Sequence, residues 1–172
     1  MSEILEWLRG GDLRSIGRSE EVVKAVLETP ALFDEVIAGM TDDDPLIRMR
    51  ASDAVEKITK IHPEMLASHK EMILNTVSKS EQKEVRWHVA QILPRLDLTE
   101  EEIQTAIGIL RGYLGDDSRI VRTFAMDALV GFVEDQPDMK LWILELVEDM
   151  IENGSPAMKS RGKKLLTRLR KG

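Results

Sequence analysis

The side chains best suited to acid–base or metal chemistry in this chain are three histidines, His62, His69 and His88. A helical metal site needs two ligands on one face, three or four residues apart, and a general base needs a partner that tunes it. No two of these histidines are so spaced, and the residues that follow them are Pro63, Lys70 and Val89 rather than an acid. The absence of cysteine removes thiolate nucleophiles, thiolate ligands and disulfides. There is no Gly-x-Ser-x-Gly turn to present a serine, and the glycines are scattered rather than gathered into a phosphate-cradling loop. The residue types therefore predict no catalytic group, no metal and no cofactor. Recognition by a surface is the remaining chemistry, and it depends on the elements that carry the surface.

Those elements come from a repeat. DDDPLIRMRASDAVEKI at 42–58 returns as GDDSRIVRTFAMDALVGF at 115–132 and, more faintly, as EQKEVRWHVAQIL at 81–93. Aligned on Ile47-Arg48, Val85-Arg86, Val121-Arg122 and Met158-Lys159, the copies step by 38, 36 and 37 residues. A near-constant period of this size marks stacked supersecondary units. Ile47, Ala51, Ala54, Val55 and Ile58 form one apolar stripe at helical spacing, and Val85, Val89, Ile92, Leu93 and Leu96 repeat it. Val121, Ala125, Ala128, Leu129 and Phe132 follow, then Met158, Gly162, Leu165, Leu166 and Leu169. The small residues Ala51, Ala125 and Gly162 share one column, as close helix approach requires. A preceding helix in each unit is expected near 31–40, 64–78, 99–114 and 138–152, and helical segments at 2–9 and 18–28 lie off the repeat.

The division is therefore an N-terminal helical cap (1–29) and four helical hairpins (30–62, 63–98, 99–136 and 137–172), forming one domain with the cap. Aromatics at only 4%, against 42% hydrophobic residues overall, fit helices better than a sandwich of short strands. Asp42, Asp116 and Asn153 stand where a side-chain oxygen can cap the second helix, with Pro45 and Pro156 suited to its first turn. Pro94 should end or kink its helix.

Asp42 and Asp116 each lie five residues before an apolar–Arg pair that opens an Ala-containing helix; Ser80 and Asn153 replace the Asp in the other two copies, and Lys159 replaces the Arg. Over about residues 30–170 this pattern resembles the HEAT-repeat family of armadillo-like proteins, including its short prokaryotic members. The resemblance implies an all-α, right-handed α–α superhelix, a HEAT-like solenoid. It also implies ladders formed by Asp42, Ser80, Asp116 and Asn153 and by Arg48, Arg86, Arg122 and Lys159, tying successive turns together. Deoxyhypusine hydroxylases of this type bind iron through His-Glu dipeptides, which this chain lacks. The helical-repeat alkylpurine DNA glycosylases use an aromatic and a carboxylate; here Trp87 has Asp53 and Asp127 at matching places in neighbouring copies, but Gln91, not an acid, one turn on.

Second helices line the concave face of a solenoid, where extended partners lie. Met49, Trp87 and Ile120 would form an apolar row there, rimmed by Arg50, Asp53, His88 and Asp127, with Gln91 and Thr123 alongside. Exposed Trp and Met beside charge make a candidate hot spot. The opposing reading packs Trp87 between units or under a loop. Trp7 and Trp142 lie on apolar faces and are expected in the core.

Charge bears on the partner. The net charge is −7, yet residues 154–172 hold seven basic and no acidic side chains, leaving 17 of the 24 basic and all 31 acidic residues in 1–153. An acidic body disfavours nucleic acid, so a protein or peptide is the expected partner and a nucleic-acid or glycosylase-like role the alternative. The basic C-terminal helix reads either as a cap that neutralises the acidic helix before it or as a dock for an acidic partner. With no long apolar run and no basic leader followed by an apolar stretch, no membrane contact is expected and the cytoplasm is the default location. A monomer is the default state.

Overall fold

The structure, a computed structural model, describes residues 2–134 and 136–171. Among them every regular element is a helix and none is a strand. The chain divides into two compact units, Met1–Asp97 and Leu98–Gly172.

In the first unit, helices α1 (Glu3–Glu6), α2 (Ser19–Glu28), α3 (Phe33–Ala38), α4 (Pro45–Ile61), α5 (Lys70–Asn75) and α6 (Lys83–Ile92) follow in order. α4 is the centre, packed against α2, α3 and α6. Its stripe of Ile47, Ala51, Ala54, Val55 and Ile58 is wholly shielded from solvent. Each large aliphatic side chain so removed from water stabilises the fold by about 1.5–3 kcal/mol, so the stripe dominates local stability. Asp44, not Asp42, caps α4: its Oδ1 accepts from the Leu46 amide at 2.8 Å, while Asp42 Oδ1 accepts from the Asp44 amide at 2.9 Å. The expected cap is therefore displaced by two residues, because Asp42 shapes the turn that delivers Asp44.

The first helices of this unit differ from expectation. Instead of one helix near 31–40, α3 is flanked by 3-10 turns at Pro30–Leu32 and Gly39–Thr41. Instead of one near 64–78, α5 is flanked by Pro63–Leu66 and Val77–Lys79. The tighter turns let Leu66, Ile73, Leu74 and Val77 all reach the core. Gly39 permits the close seating of α3 on α4: a Cβ there would lie 2.8 Å from Leu5 Cδ2 and 3.0 Å from Ala51 Cβ. The N-terminal helix expected at 2–9 shrinks to α1, and α6 stops at Ile92 before a 3-10 turn that contains Pro94.

The second unit holds four full helices, α7 (Glu100–Tyr113), α8 (Arg119–Val133), α9 (Pro137–Asn153) and α10 (Pro156–Leu169). Thr99 and Glu102 close a reciprocal capping box on α7. Ser118 and Ser155 cap α8 and α10 by accepting from the Val121 and Met158 amides, the places expected of Asp116 and Asn153. α8 packs against α7, α9 and α10, and α9 against α10. Gly162 lets α9 and α10 meet, since a Cβ there would stand 2.8 Å from Ile151 Cγ1.

Candidate recognition surface

The turn between the two helices is built the same way in three of the repeats. Arg48 Nη1 donates to the Asp42 carbonyl at 2.8 Å, Arg86 Nε to the Ser80 carbonyl at 2.7 Å, and Arg122 Nη1 to the Asp116 carbonyl at 2.6 Å. Lys159 Nζ reaches the Glu152 carbonyl at 2.8 Å. Each arginine thus clamps the turn that precedes its own helix, whereas Lys159 reaches back to the end of α9. The Ser80 hydroxyl and the Asp116 carboxylate accept from the amide two residues on, as Asp42 does. Asn153 departs from this pattern, donating to Asp149 instead. One link joins consecutive turns in the first unit: Arg48 Nε donates to Gln82 Oε1 at 2.9 Å, and Gln82 Nε2 to the Pro45 carbonyl at 2.9 Å.

On the face of α4 and α6, Asp53 gathers a polar cluster. The Ser19 hydroxyl donates to its Oδ2 at 2.5 Å, Lys57 Nζ lies 2.9 Å from the same oxygen, and Glu20 holds Lys57 from the other side at 2.5 Å. Burial favours the neutral acid, but His88, Lys57 and Ser19 together outweigh it and bring the Asp53 carboxyl down to about 2. His88 sits behind, buried, with Nδ1 2.6 Å from the Glu84 carbonyl. That carbonyl can only accept, so Nδ1 carries the proton. Nε2 faces both the Trp87 indole N–H, 3.2 Å away, and Asp53 Oδ1, 3.7 Å away. Trp87 is half-buried, and its carbonyl takes the Gln91 amide at 3.1 Å.

Three residues of the expected binding face, Met49, Arg50 and His88, are not surface residues. Met49 is 6% exposed and Arg50 1% exposed, and the chain segment before α2 covers Arg50. The Arg50 guanidinium is the organiser of that segment. Nε donates to the Ser15 carbonyl at 3.0 Å, Nη1 to the Leu8 and Gly10 carbonyls, both at 2.6 Å, and Nη2 to the Asp12 carbonyl at 3.2 Å. Burying a cation costs several kcal/mol unless its donors are satisfied, and here backbone oxygens supply the partners. Gly17 adopts φ +55°, and a Cβ there would press within 2.8 Å of the Arg50 guanidinium carbon.

Trp7 is half-buried rather than in the core, with the Arg18 guanidinium 4.6 Å from its ring centroid. It lines a groove of about 420 Å³ with Ile4, Ala25, Leu32, Glu3 and Glu35. Nothing in the periodicity of 2–9 signalled this groove, because α1 ends after one turn and Trp7 leaves the helical face. Trp142 is likewise half-buried, with Arg111 5.0 Å from its ring centroid.

In the second unit Ile120 is exposed, at 50%. Thr123 turns its hydroxyl to the Arg119 carbonyl at 2.7 Å, and Asp127 pairs with Arg161. Arginines at and after the end of α10 pair with carboxylates: Arg168 makes a two-pronged bond to Glu134 with both distances at 2.6 Å, and Arg170 Nη2 lies 3.8 Å from Glu148, while Lys163 and Lys164 are exposed. Two of these carboxylates, Asp127 and Glu134, belong to α8 and its end, so the acidic helix α9 is only a lesser partner.

Of the histidines, His62 pairs with Glu64 and His69 with Asp34, at 2.9 and 2.8 Å. No group of three metal-binding side chains occurs among the described residues, and no helix among them is long and apolar enough to cross a membrane. Comparison with known proteins finds no matching family model, no matching curated protein and no matching solved structure.

Proposed function

We propose that this chain is a non-catalytic helical-repeat scaffold, a right-handed HEAT-like solenoid, that binds a protein or peptide along the outward face of its second helices. The carrying observation is the clamp repeated at three inter-helix turns, in which Arg48, Arg86 and Arg122 each bond the carbonyl six residues before. A turn built alike in successive copies fits a repeat array, whose product is an extended surface rather than a pocket. The side-by-side packing of α2, α4 and α6, and of α8 on α10, supports the same reading.

On that face Trp87 and Gln91 with Lys57 and Glu20 form the recognition patch in the first unit, and Ile120 with Thr123 forms one in the second. Met49, Arg50 and His88, being buried, serve as its foundation. Nucleic acid is disfavoured because Arg161, Arg168 and Arg170 are engaged by carboxylates within the chain.

Affinity enrichment from the source cell, with wild type, Trp87→Ala and the exposed second-unit control Leu141→Ala as baits, tests the proposal. Wild type and the control should recover the same proteins, and Trp87→Ala should lose them at least tenfold, the loss of a hot-spot side chain of about 2 kcal/mol. Equal recovery by all three baits refutes the Trp87 face.

A further inference from the structure

The segment Arg9–Arg18 presents a physical puzzle: every one of its residues is exposed, yet it is among the most firmly constructed parts of the first unit. Three glycines, Gly10, Gly11 and Gly17, take the left-handed backbone at φ 77°, 85° and 55°. A buried arginine holds four of its carbonyls or those beside it. The Asp12 carboxylate accepts from the Arg14 amide at 2.8 Å, and the Ser15 hydroxyl from the Gly17 amide at 3.0 Å. The loop contributes no side chain to the core in return. Instead it holds Leu13 and Ile16 in solvent, 48% and 43% exposed, with Arg14 between them. Fixing two aliphatic side chains outward lowers the ordering cost of inserting them elsewhere.

A fitting receptacle lies next to this loop on the same unit. Arg18, its last residue, stacks on Trp7, and Trp7 lines the groove with Ile4, Ala25 and Leu32. The groove is apolar within and edged by Glu3 and Glu35, both exposed. Arg14 makes no ion pair among the described residues, and neither does Glu3. One patch therefore carries an apolar knob with a free arginine and an apolar hole with carboxylates.

We infer that a second copy of this chain occupies the groove, in a two-fold dimer where Leu13 and Ile16 of each copy enter the Ile4–Trp7–Leu32 groove of the other and Arg14 meets Glu3 and Glu35. Self-complementarity of one patch is what a two-fold interface requires, and adjacent knob and hole satisfy it reciprocally. The inference is independent of the scaffold reading, since it concerns a different surface.

Sedimentation equilibrium on the full chain, from low micromolar to about 1 mM, the weak end of specific affinity, is the test. Wild type should show twice the 19.5 kDa chain mass. Leu13→Ser with Ile16→Ser should raise the dissociation constant on the order of tenfold or more, for two aliphatic side chains left in water. These positions are exposed, so circular dichroism should report an unchanged fold. Arg14→Glu alone, and Glu3→Arg with Glu35→Arg, should each be monomeric. Mixed together they should dimerise, because the heterodimer restores opposite charges at both contacts. Wild type at the chain mass throughout overturns the inference. So does a dimer indifferent to these variants, which would place the interface elsewhere.

Discussion

Asp53 shows how one side chain is set by its neighbours across 34 residues of sequence. Ser19, Lys57 and His88 meet it from three helices and hold its carboxyl at about 2, below the ordinary value. A depressed carboxyl contributes stability that is complete above its unfolded value near 4 and is lost as pH falls through the folded value. Thermal unfolding of wild type and Asp53→Asn should therefore differ by about 1–2 kcal/mol at neutral pH, a figure reduced for partial solvent screening. The difference should shrink between about pH 4 and pH 2, across the Asp range. A gap independent of pH would deny that the charge matters. The sequence placed Asp53 and His88 on the rim of one face, and they are neighbours there, but Ser19 lies on a helix off the repeat and gave no sign of meeting them. Arg50 is placed outward by a helical wheel for a related reason: the segment that covers it has no apolar period to announce it.

At the scale of elements, the second helices were legible because each carries an apolar stripe: Ile47, Val55, Val85, Val89, Val121 and Leu129 are all at 0% exposure, while the expected stripe residues Phe132, Met158 and Leu166 are only half-buried. The first helices of the first unit were legible only in outline. Pro30 and Pro63 marked where they start, but the 3-10 turns around α3 and α5 answer to packing on α4 and α6, which no local pattern records. Glycines separate packing from propensity in the second unit. A Cβ at Gly154 would fall 2.4 Å from the Met150 carbonyl oxygen and 2.8 Å from Met158 Cβ, whereas at Gly108 it would meet nothing within 4 Å. Gly154→Ala should cost about 1–3 kcal/mol by forcing the α9–α10 turn open. Gly108→Ala, in the exposed interior of α7, should stabilise by about 0.5–1 kcal/mol. Denaturant melts of both variants check this, and equal effects would contradict the close approach at the turn.

For the whole molecule, the proposed stacking makes a prediction that extends across both units. A file of bricks sets corresponding points on successive second helices one interaxial step apart, about 8–10 Å. Leu46 on α4 and Ala157 on α10 are corresponding positions, two residues before Arg48 and Lys159 and three repeats apart. The chain has no native cysteine, so Leu46→Cys with Ala157→Cys admits two nitroxide labels and no others. Dipolar electron-spin spectroscopy, with the labelled chain diluted in unlabelled protein, then reads the separation directly. Stacked bricks predict a single distance distribution centred near three steps, roughly 24–30 Å. A distribution below about 15 Å, the span of helices sharing one bundle core, would contradict the stacked arrangement and the extended binding face that depends on it.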